Sequence, residues 1–280
     1  MNSFIDAALN QAFLQNALLG GLLASLACGV VGSFVVVKRI GYIAGGIAHA
    51  VLGGMGIAYY FGYSPIAGAI GAALLSAMII GWINLHWHQH EDTIISALWS
   101  VGMATGVLFI ARTPGYNVDL MSYLFGNILM IPRSDLYLIL VLDIAIALIV
   151  LLFYKQFLAV AFDEEFARLR GVRVDLFYLL LLVLVSLTVV ILIQVVGLIM
   201  VIALITLPAA MAGHFVHSLG KMMFLATLIG ALFTTGGLFI SYGPDLPAGA
   251  TTVLLTGTGY ILSAFAASLR HKLRIRKTTG

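Results

Sequence analysis

Two ionisable side chains lie deep inside long apolar stretches of this sequence, and each needs a physical reason to be there. His49 follows Arg39 by ten residues within Gly45-Gly46-Ile47-Ala48-His49-Ala50, about 15 Å along a helix rising 1.5 Å per residue. Asp143 precedes Lys155 by twelve residues, among Leu140, Val141, Leu142 and Ile144, about 18 Å by the same ruler. A charged side chain at the centre of a bilayer costs roughly 2.5–3.5 kcal/mol on insertion scales. Imidazole and carboxylate together suit zinc, manganese or iron, so His49 and Asp143 are the candidate metal ligands, provided that their helices meet. The plainer alternative for His49 is a buried histidine that donates to a neighbouring carbonyl and does nothing more. His86, His88 and His90, followed by Glu91 and Asp92, either bind metal or form a solvated interfacial turn. The turn is favoured, because an extended loop rarely fixes tetrahedral geometry alone. His214 and His217 are three apart, a spacing that puts them on one helical face as interfacial anchors.

The rest of the chain must place these residues in a membrane. Of 280 residues, 62% are hydrophobic and only 9% charged, and the mean hydropathy is +1.11. A soluble domain carries about 25% charged residues, so a water-soluble fold is excluded, as are disordered, collagenous and disulfide-rich classes. The single cysteine, Cys28, allows neither an intrachain disulfide nor a cysteine zinc site. The fold class is all-α: a polytopic transmembrane helical bundle, residues 1–280 forming one domain. A span needs about 20 mostly apolar residues, and nine segments qualify: Phe13–Val37, Ala44–Phe61, Ile66–Leu85, Ile94–Ala111, Asp135–Tyr154, Leu176–Ile193, Gly197–Gly213, Met222–Ser241 and Ala250–Leu269. The weakest break is the one near Gln194–Gly197. Leu120–Ile131 is too short to cross and is expected to lie on or dip into the outer face.

Nine spans put the termini on opposite sides. With the N-terminus outside, only Arg112 and Arg133 of the 14 basic residues fall on the outer face, so the positive-inside rule predicts N-out, C-in. The net charge of +3 is thus a matter of membrane orientation, and no nucleic-acid partner is expected. Asp6, with no basic residue before Lys38, gives the N-terminus no signal-peptide character, so cleavage is not expected. Gly41/Gly45 and Gly102/Gly106 have the spacing of close helix contacts, and Gly53, Gly54, Gly56, Gly68 and Gly71 crowd spans 2 and 3. Asp119, and Asp245 in the Gly243–Gly249 turn, fall at the outer mouth, where acids attract cations, although solvated loop acids are the commoner case.

The chain has no phosphate loop, since Gly220-Lys221 is followed by Met222 rather than a hydroxyl residue; it is not expected to hydrolyse ATP. Its one substantial inner loop, Gln156–Asp175, contains Phe162-Asp163-Glu164-Glu165-Phe166-Ala167-Arg168-Leu169-Arg170-Gly171. Acids open this segment and arginines close it before a glycine, which predicts a short, dipole-matched helix. Phe162, Phe166 and Leu169 recur at i, i+4 and i+7 and give it an apolar face. Such a helix fits a groove on a cytoplasmic partner. Lying flat on the membrane is less favourable, because the acids would meet an anionic leaflet.

From about Phe13 to Leu269 the chain resembles the permeases of bacterial ABC transporters that import zinc, manganese or iron. The resemblance is carried by the order of five segments. They are Lys38-Arg39-Ile40-Gly41-Tyr42-Ile43 leading into Ala48-His49-Ala50, Phe125-Gly126-Asn127-Ile128-Leu129, Phe162–Ala167, Gly197–Val201 through Leu207-Pro208-Ala209-Ala210, and Asp245–Ala250. The resemblance implies a permease homodimer in the inner membrane with a cytoplasmic ATP-binding subunit on each copy. It also implies an extracytoplasmic metal-binding protein, and a divalent metal as transported substrate rather than resident cofactor. By the same resemblance Phe162–Gly171 is the element that couples to the ATPase. The family pattern Asp-x-x-x-His lines the translocation path; His49 matches it, but Gly45 stands at the aspartate position. Either Asp143 or another acid takes that role, or the substrate differs.

Three functions follow. The first is a divalent-metal ABC permease; the second is an ABC permease for a metal chelate or other small solute, supported by Gly45. The third is a secondary transporter with Asp143 as proton carrier, for which the dipole-matched inner helix has no evident use. No nucleophile–base–orienter set points to an enzyme.

Overall fold

A computed structural model describes residues 2–86, 91–113, 126, 128–244 and 246–278. Among them every regular element is helical, as lipid demands, because a helix satisfies its own backbone hydrogen bonds. After the short α1 (Asn2–Asn10) come α2 (Ala12–Lys38), α3 (Gly41–Tyr60), α4 (Pro65–His86), α5 (Glu91–Arg112) and α6 (Arg133–Leu152). Then follow α7 (Tyr154–Phe162), α8 (Glu164–Leu169), α9 (Val174–Val196), α10 (Val201–Gly213), α11 (Leu219–Tyr242) and α12 (Ala248–Thr278). Eight of these are long and apolar enough to cross a membrane.

The expected seventh span is the exception in length. It consists of a 3-10 turn, Leu198–Met200, and the 13-residue α10. The two together are shorter than the roughly 20 residues of a full crossing. The break before it is real: Gly197 adopts φ 79°, ψ 168°, a conformation that only glycine takes readily. Of Leu120–Ile131, Gly126 and residues 128–131 are described. Ile128–Met130 is a 3-10 turn, and Gly126 (φ +70°) presses so closely on Val196 and Gly197 that a Cβ there would lie 2.2 Å from the Val196 carbonyl carbon.

Helices α2, α3 and α9 are mostly buried, while few residues of α5 or of the Ala248–Leu269 part of α12 are buried. Helix α2 packs on α11, α10, α9 and α6, and α3 packs on α5 and α4. Small residues set these approaches. A Cβ on Gly53 would lie 2.8 Å from the Gly102 carbonyl oxygen, and one on Gly56 would lie 2.7 Å from that of Gly106. Gly54 and Gly68 meet in the same way between α3 and α4. Gly71 instead has nothing within 4 Å and takes no part in a seam.

Candidate translocation and coupling sites

Helix α8 is six residues long and could not persist alone. Its ends are held by specific groups. Asp163 is extended (φ −153°, ψ 102°), and its carboxylate accepts a 2.9 Å hydrogen bond from the Phe166 N–H, a side-chain N-cap. Glu164 and Glu165 occupy the first turn and Arg168 the last, each with the sign that suits the helix dipole. Gly171 then reverses the chain at φ +78°. Ala167 is fully buried against Val160 and Val174, so α8 sits on α7 and the start of α9. Lys38, at the end of α2, forms an ion pair with Glu164 and donates to the Val160 carbonyl at 3.2 Å. Arg168 forms an ion pair with Asp175. Three apolar side chains also face outward, Phe162 at 65% exposed, Phe166 at 51% and Leu169 at 86%, beside the exposed Glu165 and Arg170.

Two adjoining clefts, about 290 and 480 Å³, open beside this helix. They share Asn84, Glu164 and Tyr178; Lys38, Arg39 and Asp92 line one, and His86, Arg168 and Asp175 the other. The ends of α2, α4 and α8 and the starts of α3, α5 and α9 therefore meet at a single charged face of the bundle.

His49 lies two and a half turns into α3 and is buried. Its ring stacks on the Trp99 indole, with centroids 4.0 Å apart and planes at 14°. Its Nδ1 is buried and has no hydrogen-bond partner among the described residues, so the histidine does not donate to a backbone carbonyl through that nitrogen. Gly45, one turn earlier, faces Ile202 and Trp99. A Cβ there would lie 2.6 Å from Ile202 Cδ1 and 3.3 Å from Trp99 Cζ3. Asp143 is buried in α6, which packs on α2, and neither carboxylate oxygen has a partner among the described residues.

The structure thus leaves unpartnered donor atoms on both candidate ligands, but on helices with different main neighbours: α3 packs on α5 and α4, whereas α6 packs chiefly on α2. Among the described residues no group of three or more His, Cys, Asp or Glu comes together. Asp119 and Asp245 lie outside the described residues, as do His88 and His90, while His86 Nδ1 lies 2.8 Å from the Trp82 carbonyl oxygen. His214 and His217 do not share a helical face. Helix α10 stops at Gly213, and the turn leading to α11 carries both histidines; His214 stacks on Tyr260. Trp99 was not legible as a site residue. Its one signal is that Trp99, Gly102 and Gly106 fall at i, i+3 and i+7 on one face of α5.

Residues 10–267 match the ABC 3 transport family. The chain is 41% identical over 285 residues to a probable metal transport system membrane protein of Chlamydia pneumoniae, covering 100% of this chain and 96% of that one. It is 34% identical over 262 residues to the manganese transport system membrane protein MntC of Halalkalibacterium halodurans, covering 94% and 90%. Its fold superposes on PsaBC from Streptococcus pneumoniae, solved in complex with Fab, with a TM-score of 0.89 and 34% identity over 98% of this chain and 99% of that one.

Proposed function

The chain belongs to the ABC 3 transport family, and from that premise we propose that it is the membrane-spanning permease of an ATP-driven importer of divalent transition-metal ions in a bacterial inner membrane. The reading rests above all on His49, a buried imidazole with an unengaged ring nitrogen on a helix built for close packing. Imidazole is a good ligand for zinc, manganese and iron, and ligands inside a bilayer are expensive unless they serve a pathway. His49 holds the ion in transit, and Asp143 is a second, acidic ligand along the route. Two copies of the chain form the pore, with the N-terminus outside and the charged face toward the cytoplasm. A separate ATP-binding subunit docks on Phe162–Gly171, and an extracytoplasmic protein delivers the metal. No step of ATP hydrolysis belongs to this chain.

The test is uptake and ATP hydrolysis by the chain reconstituted in liposomes with its ATPase, each of zinc, manganese and iron being presented on the binding protein. One metal stimulates both activities, and His49→Ala lowers metal-dependent uptake by at least about tenfold, the scale of one lost ligand interaction. Undiminished uptake by a folded His49→Ala permease overturns the role given to His49. Gly45 favours a second reading, a metal chelate as substrate, because it leaves no carboxylate one turn before His49. Stimulation by a chelate but by none of the bare ions selects that reading.

The same liposomes test how motion enters the bundle. Lys38 is largely buried, pairs with Glu164 of α8, and sits one residue before Arg39, which takes a left-handed turn (φ 59°) into α3. Lys38→Met and Glu164→Gln are each expected to lower metal imported per ATP by about two- to tenfold, the range of coupled contacts. The double variant should be no worse than either single one, since the pair is already broken. Additive losses would show that the two residues act separately.

A further inference from the structure

We infer that Trp99 is the residue that positions His49: its indole clamps the imidazole face-on and so presents the ring edge to the ion. The inference rests on His49 being an ion ligand, and its own evidence is geometric. Tyr42, Gly45 and His49 fall at i, i+3 and i+7 and share one face of α3. Trp99 of α5 lies against that face between the two rings. It is 4.0 Å from His49 and nearly parallel to it, and 6.1 Å from Tyr42 at 36°.

The stack is fixed at both ends. Tyr42 Oη and Ser96 Oγ share a hydrogen bond, and Ser96 Oγ donates to the Asp92 carbonyl at 2.8 Å, so the residue one turn before Trp99 is tied to α3. Beyond Trp99, Gly102 lets the helices close up; a Cβ there would lie 2.5 Å from Ala50 Cα. Gly45 supplies the space in which the indole edge sits.

A ligating histidine is ordinarily oriented by a hydrogen bond to its second ring nitrogen. His49 Nδ1 has no such bond among the described residues, and the stack takes over that work. A face-on indole stops the imidazole turning about its outer torsion, and it covers a face of the ring rather than the edge that carries the nitrogens. The indole face is also electron-rich, so it favours an imidazole that has taken on positive charge from a bound cation over an empty one. Trp99 therefore contributes to ion affinity without being a ligand, and an aromatic ring is what position 99 requires.

The experiment uses the permease–ATPase complex in a Trp82→Phe/Trp87→Phe background, which leaves Trp99 as the single tryptophan of the three in the permease; an ATPase preparation freed of its own tryptophans keeps the signal unmixed. Titration with cobalt(II), a quencher of indole emission, should give saturable quenching that His49→Ala removes. In the uptake assay Trp99→Phe should stay within about twofold of the parent. Trp99→Leu should raise the metal concentration for half-maximal uptake by about three- to tenfold, the scale of one aromatic pair, with little change in maximal rate. Gly45→Ala, whose Cβ would lie 2.6 Å from Ile202 Cδ1 and 3.3 Å from Trp99 Cζ3 and so crowds the indole edge together with Ile202, should move the same constant in the same direction. Equal losses in Trp99→Phe and Trp99→Leu, no loss in Trp99→Leu, or saturable quenching that survives His49→Ala each overturn the inference. A parent complex that imports no metal refutes the proposed function instead, while the cobalt titration still decides whether Trp99 and His49 form one site.

Discussion

A valine at Gly32 is expected to remove most of the folded permease from a detergent extract. Helix α2 runs through the middle of the bundle, and Gly29 and Gly32 lie on adjoining turns where two other helices cross it. A Cβ on Gly32 would lie 2.1 Å from the Ile205 carbonyl oxygen of α10, and one on Gly29 would lie 2.6 Å from the Thr227 backbone nitrogen of α11. Both obstacles are backbone, so no rotamer change relieves them, and the helices must part. Parting them also loosens Val31 and Phe34, which are fully buried beside the same turns. Overpacking a core costs about 1–3 kcal/mol even where side chains can adjust, a large share of the roughly 5–15 kcal/mol that holds a protein folded. The melting midpoint of any surviving protein should fall by about 5 °C or more. Gly71→Ala is the control: nothing lies within 4 Å of that position, and alanine improves helix propensity by up to about 1 kcal/mol. Size-exclusion yield and thermal unfolding measure both variants; equal behaviour would refute this account of the α2 seams.

The contrast between Gly32 and Gly71 shows where a sequence speaks and where it is silent. The spans are legible because lipid offers a backbone no hydrogen bonds, so every crossing must be a long apolar run. The break at Gly197 is faint because both sides of it are equally apolar; only the positive φ marks it. Helix α8 is legible to its cap because capping is a local matter of Asp163, the first-turn acids and Gly171. The depth of His49 and Asp143 could be counted along the chain, but their neighbours could not. Which helices touch depends on pairs such as Gly53 with Gly102, and spacing supplies candidate faces without naming partners. Trp99 is not legible for that reason, since its meaning lies in Gly45 and His49, some fifty residues away in sequence. The pair His214 and His217 failed for a smaller one: α10 ends at Gly213, and helical spacing has no force beyond a helix end.

Phe166→Asp combined with Leu169→Asp is expected to abolish co-purification of the ATP-binding subunit while leaving the bundle folded. Helix α8 spends its buried residue, Ala167, on the permease itself, and its cap and ion pairs hold it in place. Phe162, Phe166 and Leu169 stay exposed, with only the Arg170 guanidinium, 5.2 Å from the Phe166 ring, recorded over them among the described residues. Burying a large apolar side chain in a partner's groove is worth about 1.5–3 kcal/mol. Losing two, and placing two carboxylates in the same groove, weakens docking by at least about a hundredfold on that scale. Glu165→Ala removes an exposed acid from the same helix and should weaken the complex less. Asp163→Ala acts differently: it removes the N-cap, costs about 1 kcal/mol, and should loosen α8 without altering its apolar face. An order of effect in which the double aspartate variant is worst and the cap and Glu165 variants are milder marks a surface read by side-chain burial. A folded double variant that still carries the ATPase in full complement would move the docking site away from Phe162–Gly171.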